Sequence, residues 1–272
     1  MKKIILPIIL ALSLLLPVAA SAAESIKVAS TVSTQNSGLL DYILPIFKAD
    51  SGVEVTIIAL DTSAALELGQ KGEVDAVLVH DEDLENQLVE EGYFIDREEV
   101  MYNDFVMLGP KNDPAGVKAT KLATDAFKKI RTAQANFVSR GDNSDANMRE
   151  NRLWAGTGRM PARSNKWYLS TGKGQAECIR IAAEKQAYTL TDRGTWLAME
   201  DQATLNLNIV LEGDSALFNQ YGVMIVNPAK HKDVDYRLAM NFVIWLTSPK
   251  GQQAIGEFQD SKGNVPFTPN AR

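Results

Sequence analysis

Cysteine and histidine are scarce in this sequence of 272 residues, which contains one cysteine, Cys178, and two histidines, His80 and His231. One cysteine can form neither a disulfide within the chain nor a multi-cysteine zinc site, and two histidines do not favour a histidine-rich metal centre. Lysine and arginine form no run of five, and the formal net charge is -6. We therefore expect no nucleic-acid partner, because such a surface needs clustered basic residues.

Sequence motifs of common hydrolases are also missing. The chain has no Gly-x-Ser-x-Gly nucleophile turn, no His-Glu-x-x-His metal motif and no P-loop. A hydrolase of phosphate esters would need a nucleophile with a base, or a metal cluster, and we find neither. The composition is otherwise that of a globular protein, with 45% hydrophobic and 23% charged residues, and its length suits one large or two moderate domains. We expect a binding protein without a cofactor rather than an enzyme.

The N-terminus has the pattern of a cleavable signal peptide over residues 1–22. Lys2 and Lys3 precede an apolar run, Ile4 to Ala20, and Ala20-Ser21-Ala22 resembles a cleavage site. The alternative is a membrane anchor, for which a run of 17 residues is short. No cysteine lies near the cleavage site, so we expect a soluble periplasmic protein without a lipid anchor. Cleavage would remove two lysines and no acidic residue, leaving 26 basic and 34 acidic residues.

Strand and helix patterns alternate along the rest of the chain. Ile26 to Ala29, Val53 to Leu60 and Val74 to Val79 have strand patterns, with helical periodicity over Ser37 to Asp50 between the first two. A polar loop is expected at Ser30 to Asn36. This β-loop-α-β order predicts an α/β fold with parallel strands.

Loops rich in Ser, Thr or Gly follow several strands and precede helices: Ser30 to Ser37, Asp61 to Ser63, Ser139 to Ser144, and Gly172 to Gln175. Such loops gather at the carboxyl ends of parallel strands, where ligands bind. Helix starts present unpaired N–H groups and partial positive charge, so several together can bind an anion. The alternative for each loop is ordinary helix capping.

Two arginines follow predicted strands directly, Arg140 in "FVSRGDNS" and Arg193 in "YTLTDRGTW". A guanidinium suits a tetrahedral oxyanion because it bonds two oxygens at once. The alternative is a surface ion pair, with Asp142 and Asp192 as the nearby partners. We expect both arginines at the ligand edge.

The chain resembles the type II solute-binding proteins of ABC importers and, more specifically, the family of tungstate-binding proteins of the TupA type. The resemblance is carried by "MYNDFVMLGPKNDPAG", "AYTLTDRGTW", "FVSRGDNS", "EGDSALFNQYGVMIVNP" and "WLTSPKGQ". It implies a two-lobed fold, each lobe a mainly parallel sheet flanked by helices, with two crossing strands as the hinge. We expect those strands at Asp104 to Leu108 and Tyr221 to Val226.

The resemblance also implies the lobe boundaries and the ligand. Residues 23–106 and 222–272 would form lobe I, and residues 107–221 would form lobe II. The ligand would be a small inorganic oxyanion, most simply tungstate, passed to an ABC permease in the inner membrane by a monomeric binding protein. Combined with the loops above, the resemblance gives these candidate ligand residues: Ser30, Thr31, Ser33, Thr62, Ser63, Ser139, Arg140, Ser144 and Arg193.

Some positions depart from the family pattern. Val32 replaces a hydroxyl residue of the first motif, and Ser144-Asp145-Ala146-Asn147 stands where the family has Ser-Gly-Thr-His. A carboxylate such as Asp145, or Asp61 beside Thr62, could accept a proton from a protonated oxyanion. Vanadate, molybdate, chromate or phosphate therefore stay open as ligands, as does a role as an anion-sensing module without transport.

Overall fold

A computed structural model describes residues 24–271, so the expected signal peptide at residues 1–22 lies outside the described residues. Within that range, no helix has both the length and the apolar character that crossing a membrane requires. The strands are β1 (Ser25–Thr31), β2 (Glu54–Leu60), β3 (Ala76–Val79), β4 (Phe94–Pro110), β5 (Phe137–Ser139), β6 (Tyr168–Ser170), β7 (Thr189–Asp192), β8 (Leu207–Leu211), β9 (Phe218–Val226) and β10 (Thr268–Pro269). The helices are α1 (Val32–Asn36), α2 (Leu39–Ser51), α3 (Thr62–Lys71), α4 (Glu82–Glu90), α5 (Ala123–Ala133), α6 (Asp145–Gly156), α7 (Gln175–Lys185), α8 (Arg193–Ala198), α9 (Tyr236–Thr247) and α10 (Pro249–Glu257).

The larger sheet has the strand order β10-β4-β9-β3-β1-β2. β1 pairs in parallel with both β2 and β3, as the alternating pattern predicts. β9 lies antiparallel between β3 and β4. One hydrophobic core joins this sheet to the helices beside it, with Phe47 of α2 packing edge-on against Phe242 of α9. We call this part of the chain the first lobe.

β4 belongs to two sheets, and this is what joins the halves of the molecule. Its residues up to Asp104 pair with β9, and those from Phe105 onward pair antiparallel with β7 and β8. Side chains alternate across a strand. Accordingly Phe105 and Met107 enter one hydrophobic core, and Val106 enters another on the opposite face. These two cores, with β5 to β8 and α5 to α8, form what we call the second lobe.

The α/β class predicted from the sequence is confirmed, but the strand directions differ in part. Parallel pairing holds for β2, β1 and β3, and for β5 with β6, whereas β4 pairs antiparallel with β7, β8 and β9. The reason is that β4 passes straight from one lobe to the other, so the strands that return beside it run the opposite way. The expected polar loop at Ser30 to Asn36 is also wrong in detail, because Val32–Asn36 forms α1 with Thr31 as its N-cap.

The crossing strands lie close to the expected positions. β4 changes sheets between Asp104 and Phe105, within the expected first crossing, while β9 already pairs in the larger sheet from Phe218. The second crossing therefore precedes Tyr221. We keep the division of the lobes at residues 106 and 222 as a proposal. The strand pairing places both changes of sheet a few residues earlier in the chain.

Candidate functional site

A cavity of about 370 Å³ lies between the two lobes, at the ends of strands from both. Thr31 ends β1, Asp61 follows β2, Arg140 follows β5 and Asp192 ends β7, and all four line the cavity. The carboxyl ends of strands are where α/β proteins bind ligands. The cavity is therefore the candidate functional site.

Five helices of residues 24–271 begin at this cavity. Their N-cap residues Thr31, Asp61, Ser144, Gly174 and Asp192 all line it. The Asp61 side chain makes no cap hydrogen bond to α3, and the N-cap of α7 is Gly174, so among the described residues the first N–H groups of these two helices lack a side-chain cap. Such helix starts supply donors and partial positive charge to an anion.

The first lobe contributes a cluster of hydroxyls around Thr31. Its Oγ1 accepts a hydrogen bond from the Thr34 amide at 3.2 Å and lies 2.6 Å from Thr34 Oγ1. The same oxygen lies 3.0 Å from Ser33 Oγ and 3.1 Å from His80 Nε2. Thr31 is thus the hub of a network whose members Thr31 and Ser33 line the cavity.

His80 connects this network to the crossing strands. Its Nδ1 lies 3.1 Å from Asn219 Oδ1, and Asn219 Nδ2 donates to Asn103 Oδ1 at 2.6 Å, which fixes the orientation of the Asn219 amide. Because an oxygen faces Nδ1, that nitrogen carries a proton. The imidazole also stacks on Tyr221 at 4.3 Å between ring centroids. His80 therefore has a fixed ring orientation beneath the cavity.

The second lobe contributes Arg140 on a short loop. Its Nε and Nη2 donate to Asp142 Oδ2 at 2.9 and 2.6 Å, and Asp142 Oδ1 accepts from the Ser144 hydroxyl at 2.6 Å. Arg140 Nη1 makes no hydrogen bond to any of residues 24–271. The guanidinium is thus held in place by Asp142 with donors left for a ligand.

Gly141 makes this loop possible. It has a φ of +63°, a conformation that side chains rarely adopt, and a Cβ there would stand 1.9 Å from Ser170 Oγ. Glycine is therefore strongly favoured here, by the positive φ and by the position of Ser170, and Gly141 helps to set the direction in which the neighbouring Arg140 leaves β5.

Four of the nine predicted ligand residues line the cavity: Thr31, Ser33, Arg140 and Ser144. The other five do not. Ser30 Oγ donates to the Leu78 carbonyl at 2.8 Å, and Ser139 Oγ accepts from Asn147 Nδ2 at 3.3 Å, so both are buried beside the site. Thr62 is buried and Ser63 is exposed, both at the start of α3.

Arg193 is engaged elsewhere. Its Nε and Nη2 each donate to an Asp104 oxygen at 2.6 Å, and Nη2 also lies 2.6 Å from Glu212 Oε2. Asp192, which the sequence suggested as its partner, instead caps α8 through the amide and hydroxyl of Thr195. Arg193 therefore joins β4 to the end of β8 and does not line the cavity.

Carboxylates outnumber guanidiniums around the cavity. Asp61, Asp145, Asp192 and Glu200 line it, against Arg140 and Arg180. Burial raises the pKa of Asp192, opposed by its hydrogen bonds from Thr195, and repulsion from Asp145 raises it further. Partial desolvation raises the pKa of Asp61, as does the charge of Asp142. Among residues 24–271 no group of three or more His, Cys, Asp or Glu is placed to hold a metal ion.

Sequence reasoning missed His80, Asn103 and Asn219 at the site, whereas Gln175 ends a loop that was expected at the ligand edge. His80 stands at the end of the apolar run of β3, in "AVLVHD", where a strand delivers it to the ligand edge. Arg140 was identified as a candidate ligand residue for the same reason, since it also follows a predicted strand directly. No local signal marks the two asparagines, which lie within long strands.

The comparisons with known proteins agree with this architecture. Residues 17–250 match the family model described as "PBP superfamily domain". The chain is 44% identical over 251 residues to the "Tungstate-binding protein TupA" of Peptoclostridium acidaminophilum, covering 91% of this chain and 86% of that protein. The chain belongs to the PBP superfamily and, within it, to the TupA family.

Solved structures of this family have the same fold. The "Tungstate binding protein - TupA - from Desulfovibrio alaskensis G20" is 43% identical, with a TM-score of 0.82, over 92% of this chain and all of that one. "The crystal structure of the tungstate ABC transporter from Geobacter sulfurreducens" is 44% identical, with a TM-score of 0.76, over 88% of this chain and all of that one. Relatives in the family are solute-binding proteins of ABC transporters and not enzymes, which confirms the expectation of a binding protein.

Proposed function

We propose that the chain captures a tetrahedral oxyanion, tungstate in the first instance, in the cavity between its lobes and delivers it to an ABC permease in the membrane. The observation that carries this proposal is the convergence of five helix N-caps and the Arg140 guanidinium on one cavity. Its membership of the TupA family supports the choice of ligand.

The geometry suits an anion because donors come from both lobes. Thr31 and Ser33 offer hydroxyls from the first lobe, while Arg140 and the start of α7 offer N–H groups from the second. Each hydrogen bond to a charged group contributes about 1.5–3 kcal/mol. A few of them suffice for nanomolar affinity, which corresponds to roughly -12 kcal/mol. No net positive charge of the protein is needed, in keeping with its formal charge of -6.

Binding from both lobes would also favour closure of the cavity. A ligand that bonds to residues of both lobes binds the closed arrangement better, and so shifts the population toward it. Arg152 of α6 in the second lobe already donates to Asp81 of the first lobe at 2.7 Å. A closed, liganded form would present one defined surface to the permease.

We also propose that the protein is exported to the periplasm by the signal at residues 1–22 and acts there as a monomer. Sequencing the N-terminus of the protein isolated from the periplasm tests the export, and light scattering tests the oligomeric state. An anion-sensing role without transport would use the same site, and a pull-down of an ABC permease from membranes of the source cells distinguishes the two roles.

The experiment that tests the ligand is a thermal-shift panel on the purified protein with tungstate, molybdate, vanadate, chromate, phosphate and sulfate at equal concentration. A ligand that binds only the folded state raises the melting temperature, by an amount that grows with its affinity. We expect the largest rise with tungstate, and no rise with any oxyanion would refute the proposal.

A matched pair of variants locates the binding. Thr31→Val removes the hydroxyl at the hub of the cavity network, and Thr132→Val removes an exposed hydroxyl of α5 that bonds only the Lys128 carbonyl. Both changes conserve shape. We expect the tungstate-induced rise to shrink in Thr31→Val and to persist in Thr132→Val.

A further inference from the structure

The cavity has an excess of negative charge for a site that binds anions. Both arginines that line it already pair with carboxylates, Arg140 with Asp142 and Arg180 with Asp201. Asp145 and Asp192 line the same cavity and are each 7% exposed. A doubly charged anion entering here meets buried carboxylates, whose repulsion is weakly screened.

Of the two buried carboxylates that line the cavity, Asp145 has fewer partners than Asp192, which accepts two hydrogen bonds from Thr195. Asp145 is the first residue of α6, and its Oδ2 lies 3.4 Å from His80 Nδ1. The proton on that nitrogen is shared with Asn219 Oδ1, which is closer at 3.1 Å. No other side chain of residues 24–271 donates a hydrogen bond to Asp145. The Asp145 carboxylate therefore lies at the cavity wall with most of its capacity to accept hydrogen bonds unused.

Gln175 provides a second, independent acceptor. Its Nε2 donates to the Leu190 carbonyl at 2.9 Å, which fixes the amide because a carbonyl oxygen could not face another. The remaining Oε1 is buried and has no partner among the described residues. Gln175 lines the cavity. Buried acceptors without donors are rare, and this one adds acceptor rather than donor capacity to a residue of the cavity wall, which is unfavourable for a fully deprotonated anion.

The charged and titratable groups that surround Asp145 come from both lobes. From the first lobe these are His80, Asp61 and Tyr221, and from the second Arg140, Arg149 and Asp192. Asp145 raises the pKa of Asp192 and of Asp61 through repulsion, after the larger effect of burial. The acids thus act on one another, and adding a proton to one of them relieves the others.

We propose that the cavity binds its oxyanion together with one proton, which is shared between the Asp145 carboxyl and an oxygen of the anion. With a fully deprotonated anion such as tungstate, the proton comes from solvent and the Asp145 carboxyl donates it in a hydrogen bond. With an anion that carries a hydroxyl, the anion supplies the proton and the Asp145 carboxylate accepts. In both cases one proton is held and no other bond changes. This inference rests on the proposed function, since it requires an oxyanion in this cavity.

The test is calorimetry of tungstate binding to the full chain at pH 6.5 to 8.5, in buffers of different ionisation enthalpy. The dependence of the measured heat on the buffer counts the protons taken up. For the wild type we expect about one proton per tungstate, and an affinity that falls about tenfold for each pH unit. This measurement needs no variant, so a folding defect cannot obscure it.

Variants then assign the proton to a residue. Asp145→Asn supplies a neutral N–H donor, so we expect no proton uptake, an affinity that changes little with pH, and tighter tungstate binding than the wild type at pH 8.5. Asp125→Asn is the matched control, because Asp125 lies exposed on α5 and pairs only with Lys128. We expect it to match the wild type.

The outcomes separate this inference from the proposed function. Tungstate binding without proton uptake in the wild type would overturn the inference and leave the proposed function in place. Proton uptake that persists in Asp145→Asn but disappears in His80→Gln would overturn the assignment to Asp145. Absence of oxyanion binding at every pH would overturn both.

Discussion

His80 Nδ1 lies 3.4 Å from Asp145 Oδ2, and the two side chains come from opposite lobes. His80 follows β3 in the first lobe, and Asp145 begins α6 in the second. The contact exists only while the lobes are together, so opening the cavity must separate these groups. The distance between His80 and Asp145 therefore distinguishes the closed arrangement of the lobes from an open one.

Arg140 is the arginine that we expect to bind the anion. Arg140→Ala should weaken tungstate binding at least tenfold, because it removes a charge-assisted donor worth about 1.5–3 kcal/mol. Arg140→Lys should recover only part of the loss, since an ammonium lacks the fork that bonds two oxygens. Calorimetry measures both. Arg237→Ala is the control, because Arg237 is exposed and pairs with Glu24; unchanged affinity in Arg140→Ala would remove this residue from the site.

The ion pair between Arg152 and Asp81 should favour the closed arrangement. It joins α6 to the start of α4 at 2.7 Å, and Arg152 is partly exposed. An exposed pair contributes up to about 1 kcal/mol, and the burial of the Asp81 side chain makes the loss of its partner more costly, so Arg152→Ala should speed anion release at least about twofold to fivefold. Stopped-flow displacement measures the rate. Lys250→Ala, which breaks a pair with Asp50 inside the first lobe, should leave the rate unchanged.

A side chain at Gly141 should be destabilising. Gly141→Ala brings Cβ against Ser170 Oγ in a backbone conformation of positive φ, and should reduce both the melting temperature and tungstate affinity. Gly158→Ala is the matched control, with a φ of +86° but nothing within 4 Å of the added carbon. Gly158→Ala carries the backbone cost of positive φ, about 1–2 kcal/mol, without the collision. Ser170→Ala should partly rescue Gly141→Ala, and equal effects of the two glycine variants would contradict the steric explanation.

Glu150 should make stability depend on pH. It is buried beside Trp154 and Tyr168, and this burial raises its pKa to about 7 despite their hydrogen bonds. Between its ordinary pKa of 4.5 and this value, the folded protein holds a proton that the unfolded chain has released. The free energy of unfolding therefore falls as the pH rises through that interval.

Glu150→Gln is neutral at every pH and should make the fall from pH 5 to pH 8 smaller, by up to about 3 kcal/mol. Urea unfolding at several pH values measures it. Glu85, whose pKa burial raises to about 8, contributes a fall of the same sign and remains in the variant. Glu90→Gln, at an exposed position on α4, should keep the slope of the wild type.

The sequence was informative wherever the controlling interactions are local. Helix α2 follows from the apolar periodicity of Ser37 to Asp50, and the pairing of Arg140 with Asp142 spans two positions. The partner of Arg193 was not predictable in this way, since Asp104 is 89 residues distant. The role of His80 likewise depends on Asn219, 139 residues further along the chain. Such contacts are created by the crossing of the chain between lobes, which no short pattern encodes.

The position of β9 has a consequence for the order in which the chain takes shape. β9 lies between β3 and β4 in the larger sheet, yet it is made after the whole second lobe. As the polypeptide emerges from the ribosome, β3 and β4 stay without their shared neighbour until residue 226 has appeared. The strands, helices and two cores of the second lobe are all present by Leu217, just before β9 begins. The lobe that starts first is thus the one that is completed last, and its sheet stays in two parts until the chain has returned from the other lobe.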